Sequence, residues 1–149
     1  MNIKDTAFRY LESRPRTVKQ MRDRLKEKGF GDEEIENTIA ELIELGLLDD
    51  EEFVIAYINY GFTKGKEIRM IRYELYSKGI DDNTVEDGMM RYSERYDYDF
   101  TEGEYERAYR IASKIEPFDL KKAARKLTSK GFGSSVVWDT VGKIKKEEQ

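Results

Sequence analysis

Cysteine and histidine are both missing from this 149-residue sequence. Without cysteine there is no disulfide, no thiolate nucleophile and no Cys-ligated zinc. Without histidine there is no imidazole base and no His-ligated metal. Most hydrolase constellations fall with them, though carboxylate chemistry survives. No apolar run approaches the ~18 residues of a membrane span. The opening Met1–Asp5 lacks the apolar stretch of a signal peptide, so the expectation is a cytoplasmic protein. What the chain has in excess is charge. Lys and Arg number 27, Asp and Glu 31, and charged residues make up 39% of the chain with a formal net charge of −4. Typical globular chains hold roughly 25%. So much water-facing surface with so little core suits narrow, helix-rich units. An acidic total also argues against tight non-specific nucleic-acid binding, unless the cations are gathered on one face.

The strongest pattern is internal repetition. Leu25-x-x-Lys28-Gly29-Phe30 returns as Leu75-x-x-Lys78-Gly79-Ile80 and as Leu127-x-x-Lys130-Gly131-Phe132. Upstream of each glycine, Val18/Met21/Leu25, Ile68/Ile71/Leu75 and Leu120/Ala123/Leu127 fall at i, i+3, i+7, one face of a helix. Downstream, Ile35/Ile39/Leu42, Val85/Met89/Tyr92 and Val137/Val141/Ile144 describe a second apolar face. Ala7-Phe8, Ala56-Tyr57 and Ala108-Tyr109 mark an earlier helix in each unit, with Leu11, Tyr60 and Ala112 one turn on. The expected fold is all-α: three tandem three-helix, helix-turn-helix-like repeats over 1–49, 50–100 and 101–149, stacked in an elongated, curved array. No heptad seam is evident, so a monomer is expected.

Punctuation supports the reading. Gly29, Gly79 and Gly131 suit the left-handed residue after a helix, with Lys28, Lys78 and Lys130 at its negative end. Asp32, Asp82 and Ser134 are expected as N-caps of the third helices, and Asp50 as the cap of the fourth helix in the chain. Thr17 with Gln20 and Thr101 with Glu104 resemble capping boxes. Pro15 and Pro117 stand where second helices should start, with Gly65 in that place in the middle unit. Tyr96–Phe100 reads as an acidic linker, closing the second repeat, with aromatic docking contacts.

Charge is unevenly shared. Residues 1–50 carry −3, residues 51–100 carry −4 and residues 101–149 carry +3. The second helices bear a basic stripe: Arg16, Lys19, Arg22 and Lys26; then Lys66, Arg69 and Arg72; then Lys121 and Arg125 with Lys122 and Lys126 alongside. The stripe lies well around the helix from the apolar face, so it either contacts a partner or is a solvated surface. The third helix of the first repeat has no Lys or Arg between Asp32 and Leu48. A helix this acidic would be repelled by phosphates, which argues against sequence-specific major-groove reading by that repeat.

Other candidate chemistry is weak. The pairs Glu33-Glu34, Asp49-Asp50, Glu51-Glu52 and Asp81-Asp82 sit at helix starts, where carboxylates cap free N–H groups. Gly61-Phe62-Thr63-Lys64-Gly65-Lys66-Glu67 is similar to a phosphate loop, but only three residues separate its glycines and Glu67 replaces the hydroxyl residue. Asp97-x-Asp99-x-Thr101 starts like a calcium loop and then offers Glu102 and Ala108 where glycine and glutamate are needed. No cofactor, metal or catalytic residue is expected. Trp138, beside Val137, is expected to be buried rather than to stack on a base, and Tyr57, Tyr60, Tyr92 and Tyr109 fall at core columns. Tyr73 and Tyr76 lie off the core stripe, near the basic residues.

Ala7-x-x-Tyr10-Leu11-x-x-Arg14-Pro15-Arg16-Thr17, Leu25-x-x-Lys28-Gly29-Phe30, Leu45-Gly46-Leu47-Leu48-Asp49-Asp50-x-x-Phe53 and Glu74-Leu75-x-x-Lys78-Gly79-Ile80, in that order, resemble the RecX family. The resemblance implies three three-helix repeats. It also implies a non-enzymatic regulator that binds the RecA–DNA filament and suppresses its ATPase, strand exchange and growth, acting in recombinational DNA repair and the SOS response. The expected partner is then the RecA filament, with weak contact to single- or double-stranded DNA, through Arg16, Lys19, Arg22, Lys66, Arg69, Arg72, Lys121, Lys122, Arg125 and Lys126. The competing readings are a nucleic-acid-binding helical array using the basic stripe, a helical adaptor without a recombinase, and an enzyme using paired carboxylates.

Overall fold

The computed structural model describes residues 1–149. It contains nine α-helices and no strand: α1 (Ile3–Glu12), α2 (Val18–Glu27), α3 (Asp32–Glu44), α4 (Asp50–Thr63), α5 (Ile68–Ser77), α6 (Asp82–Tyr96), α7 (Phe100–Ser113), α8 (Leu120–Ser129) and α9 (Ser134–Glu147). The all-α repeat expected from the three Leu-x-x-Lys-Gly motifs is what the chain forms.

The motifs terminate α2, α5 and α8 in the same way. Gly29, Gly79 and Gly131 take φ of +90°, +90° and +96°, a region in which a Cβ would be strained. The residue after each glycine then reaches back across the turn. Phe30 N donates to the Leu25 carbonyl, Ile80 N to Leu75 and Phe132 N to Leu127, each at 3.2 Å. This six-to-one closure is the Schellman motif, and it satisfies carbonyls that the helix end would leave open.

The helix starts depart from expectation by one residue. Asp32, Asp82 and Ser134 are the first helical residues, not caps. Gly31 and Gly133 hold the cap positions of α3 and α9 without a side-chain bond, while Asp81 accepts from Thr84 N at 2.8 Å for α6. Likewise Asp49, not Asp50, caps α4, accepting from Glu52 N at 3.1 Å. The glycine turn is one residue shorter than the sequence count allows for, so the residue expected as the cap already lies in the helix, where an aspartate still favours the positive end. Thr17 and Gln20 form the full capping box of α2. Thr101 and Glu104 do not, because α7 starts earlier and is capped by Asp99. Pro15 and Pro117 precede the first turns of α2 and α8 rather than lying in them.

Packing divides the chain into two compact units, residues 1–57 with 74–91, and residues 58–73 with 92–149. The first contains a core of Ile3, Ala7, Met21, Leu25, Ile35, Ile39, Leu42 and Leu48 between α1, α2 and α3. Two polar contacts fasten α2 within this unit. Asp50 accepts from Val18 N at 3.0 Å, and the Thr17 hydroxyl donates to the Lys78 carbonyl at 2.9 Å. Burial, the largest influence, holds the Asp50 carboxyl above the usual carboxylate range, although the Val18 amide pulls it down.

The second unit is built on Ala108, Ala112, Ala123, Ala124, Leu127, Phe132, Val137, Val141 and Ile144, where α7, α8 and α9 meet. It also holds an aromatic cluster. Phe62, Tyr92, Tyr98 and Phe100 lie with ring centroids 5.0–6.3 Å apart, which gives the Tyr96–Phe100 segment its aromatic docking contacts. Beside it, Glu67, only 5% exposed, takes Arg107 Nη2 at 2.7 Å and Nε at 2.9 Å, while Arg107 Nη1 donates to the Tyr98 hydroxyl at 2.7 Å. Burial alone would lower the Arg107 pKa, but these hydrogen bonds outweigh it and raise it.

Two aromatic expectations fail. Tyr60 is 51% exposed, because Gly61 and not Tyr60 faces inward. A Cβ on Gly61 would lie 2.5 Å from Ile71, so α4 approaches closely enough to exclude a side chain there. Trp138 is 56% exposed instead of buried. Val136 and Thr140 complete the buried face of α9, and at about 100° per residue that places the face on the opposite flank of Val137 from Trp138.

Candidate functional site

The ten cations singled out in the sequence meet different fates. In the first unit most of them are occupied. Arg22 forms a two-toothed pair with Glu36, Nε at 2.8 Å and Nη2 at 2.9 Å. The bond raises the Arg22 pKa and lowers that of Glu36. Lys19 holds Asp23 at 2.8 Å one turn along α2 and thereby lowers the Asp23 pKa. Its stem covers Gly79, where an added Cβ would meet the Lys19 chain at 2.1–2.8 Å. Arg16 lies over the Tyr10 ring at 3.8 Å and donates to the Tyr10 carbonyl and to Ser13 Oγ. Three of the stripe residues of α2 and its approach therefore serve the fold.

On α5 and its approach, Arg69 is exposed, while Lys66 and Arg72 are half-buried and already engaged within the molecule. Lys66 also lies 6.0 Å from the centre of the Tyr60 ring. Tyr73 is 69% exposed and Tyr76 38%.

The second unit presents the opposite case at α8. Lys121, Lys122, Arg125 and Lys126 are all exposed. None of them forms an ion pair. No acidic residue occurs between Leu120 and Ser129, and the carboxylates nearby are held elsewhere. Asp119 caps α8 through Lys122 N at 3.0 Å, Asp139 accepts from the Tyr105 hydroxyl at 2.7 Å, and Glu147 accepts from Tyr109. Beside Lys121 and Arg125 stands the exposed Trp138.

A separate basic hollow, missed in the sequence, lies in the first unit. Arg9, Tyr10, Arg16, Arg24 and Lys28 line a cavity of about 640 Å³. Arg24 is paired with Glu27 at 3.2 Å and lies 5.4 Å from the Tyr10 ring centre. The signal for it was Tyr10 near the end of α1, with Arg16 and Arg24 spaced so that the approach to α2 and α2 itself bring two cations to its ring.

Most of the paired carboxylates are engaged within the fold. Asp49 and Asp81 cap helices, Asp50 holds Val18 N, and Glu51 and Glu52 receive Arg91 at 3.1 and 2.9 Å. No three acidic side chains meet in a way that would hold a metal ion. No helix is long and apolar enough to cross a membrane.

With this geometry in hand, comparison with known proteins is informative. Residues 4–42 match the family model described as RecX, first three-helix domain, and residues 49–89 match RecX, second three-helix domain. The regulatory protein RecX of Clostridium acetobutylicum is 30% identical over 147 residues, covering 97% of this chain and 67% of its own length. That of Legionella pneumophila is 27% identical over 141 residues, covering 95% and 93%. Among solved structures, RecX from Lactobacillus salivarius superposes with a TM-score of 0.73 at 26% identity, covering 95% of this chain and 92% of that one.

Proposed function

Since the chain belongs to the RecX family, we propose that it is a non-enzymatic cytoplasmic regulator of the RecA recombinase, acting as a monomer. It binds the RecA–single-stranded DNA filament and inhibits ATP hydrolysis, strand exchange and filament growth, and so modulates recombinational repair and the SOS response. The observation that carries this reading is the match of the two family domains in order along the chain. The repeats 1–49, 50–100 and 101–149 are then the contact-bearing units. A filament presents equivalent surfaces at intervals, and three modules in one chain gain avidity that one weak contact lacks.

Within that proposal the cations divide. Arg69, Lys121, Lys122, Arg125 and Lys126 are exposed and carry no ion pair, so they are the residues to assign to partner contact. Arg16, Lys19 and Arg22 are committed internally and reach a partner only by giving up those bonds. Lys66 and Arg72 are engaged as well, so reversing them would confound binding with folding.

The test is ATP hydrolysis by the cognate RecA on single-stranded DNA, titrated with this protein. Inhibition that is weakened by Arg69→Glu with Lys122→Glu and Lys126→Glu, at unchanged helix content, supports the reading. Hydrolysis unaffected by saturating wild-type protein removes it.

A further inference from the structure

Trp138 is the only tryptophan in the chain, and more than half of its surface faces solvent. A large aromatic side chain left this exposed on a helix whose other face is well buried calls for a reason. Its surroundings supply one. Together with Lys121, Ala124, Arg125, Thr128 and Ser129 it lines an open depression of about 560 Å³ between α8 and α9. Lys121, Arg125 and Thr128 follow one another at i, i+4 and i+7, so they form a ridge along one face of α8. Two cations one helical turn apart therefore stand beside an indole ring.

The indole is also unoccupied. Tyr10 has Arg16 laid over its ring, and Tyr109 has Lys143 at 5.0 Å. No cation or ring of the molecule is stacked on Trp138. The nearest carboxylate in sequence, Asp139, is turned to Tyr105 and does not neutralise the ridge.

We propose that Trp138, Lys121 and Arg125 form a subsite for single-stranded nucleic acid, in which one unstacked base lies on the indole and the flanking phosphates meet the two cations. An aromatic platform next to a line of cations is the arrangement by which single strands are held without sequence preference. Duplex DNA would not engage the ring, since its bases are already stacked. An acidic protein segment would satisfy the cations, but the depression offers little for its side chains. Apart from Trp138 it is lined by Ala124, two hydroxyl residues and the stems of the cations. The subsite needs no recombinase, so it can fail while the regulatory reading stands, and the reverse.

The lone tryptophan makes the test direct. Oligo-dT is titrated into the protein without RecA, at 50 and 200 mM salt, with indole emission as the readout. Saturable quenching is expected. Trp138→Ala, followed by anisotropy of labelled oligo-dT, should bind about 5- to 150-fold more weakly, the range for one base stacked on an aromatic side chain. Trp138→Phe should recover more of the affinity than Trp138→Leu. Lys121→Glu with Arg125→Glu should abolish the quenching with circular dichroism unchanged. The milder Lys121→Gln with Arg125→Gln should flatten the plot of log K against log salt by about 1.4, at about 0.7 per single-strand phosphate. Absence of binding at 50 mM salt overturns the proposal. So does binding that leaves the emission unchanged and survives Trp138→Ala. Stronger quenching by a poly-glutamate peptide than by oligo-dT overturns it too, and would give the surface to a protein.

Discussion

α2 and α8 are equivalent helices with different surfaces. Each has ten residues, ends at a lysine and a left-handed glycine, and closes with the same 3.2 Å bond. Yet α2 carries Asp23 and Glu27 among its cations and faces the acidic start of α3, so Lys19, Arg22 and Arg24 are all paired. α8 carries no acidic residue, and the first turn of α9 has none. Repetition fixes the apolar columns and the turns, because these determine whether the helices pack. The outer face is under no such constraint, so one copy uses its charges to hold itself together and the other keeps them for a partner.

The comparison can be broken first at the cation most deeply committed to structure. Arg107→Ala takes away the partner of Glu67, a residue only 5% exposed in the intact chain. Removing one side of such a pair costs about 3–5 kcal/mol, whereas replacing both sides with apolar residues is often neutral. Urea unfolding should therefore show a large loss for Arg107→Ala and recovery of most of it in Arg107→Met with Glu67→Leu. A loss below about 1 kcal/mol would place this pair with the surface ones.

A smaller effect separates Gly79 from Gly131. Alanine at either must adopt a left-handed backbone, at roughly 1–2 kcal/mol. At Gly131 the nearest atom to an added Cβ is Glu67 Cβ, at 3.8 Å, an ordinary contact. At Gly79 the Cβ would collide with the stem of Lys19. Gly79→Ala should therefore unfold at lower urea than Gly131→Ala, and Lys19→Ala should narrow the gap. Equal losses would mean that the stem of Lys19 moves aside freely, and that α2 depends on it less than its geometry indicates.

Lys19 also marks the limit of what the sequence carries. Its place in a repeated column is legible, and so are the apolar faces, because a period of 3.6 residues is a local property. Its contact with Gly79, sixty residues away, is not local, and no spacing encodes it. Trp138 fails for a related reason. Val136 and Trp138 flank Val137 equally, and only the position of α7 and α8 decides which flank is covered. Among the ten cations, pattern located the surface, but the distinction between paired and unpaired charges depended on Glu36, which comes from another helix.

Asp50 tests how firmly α2 is anchored through its start. Burial makes its carboxyl easier to protonate in the folded chain than in the unfolded one. The folded state then binds more protons over the interval above the ordinary Asp value, so this group's contribution to stability falls as pH rises through that interval. Asp50→Asn retains an oxygen for Val18 N and carries no charge. At pH 7 the variant should be at least as stable as the wild type, and the difference should shrink as pH is lowered and Asp50 protonates. Asp23 and Glu36, whose pKa values are lowered, lose stability as pH falls, but they do so in both proteins and cancel, whereas Asp81 repels Asp50 and is relieved of that charge in the variant, which adds to the advantage of Asp50→Asn at pH 7. Asp50→Ala, which discards the acceptor, should cost about 1 kcal/mol, as loss of a cap does. A widening gap at low pH would reverse the sign assigned to Asp50.

The finest test uses the same substitution on both helices. Arg22→Glu sets two carboxylates against each other where a two-toothed pair stood, so the thermal midpoint should drop. That drop should contract in 1 M salt, where charges are screened beyond about 3 Å. Arg125→Glu breaks no ion pair and meets only the exposed Lys121 and Lys122 one turn back, so its stability change should stay within about 0.5 kcal/mol at either salt concentration. If the two reversals were equally harmless, the pairs on α2 would be ornaments of a solvated face like any other, and its charges would be as free for a partner as those on α8. If Arg125→Glu were the more damaging, α8 would depend on a contact within the chain, and the face assigned to nucleic acid would belong to the fold.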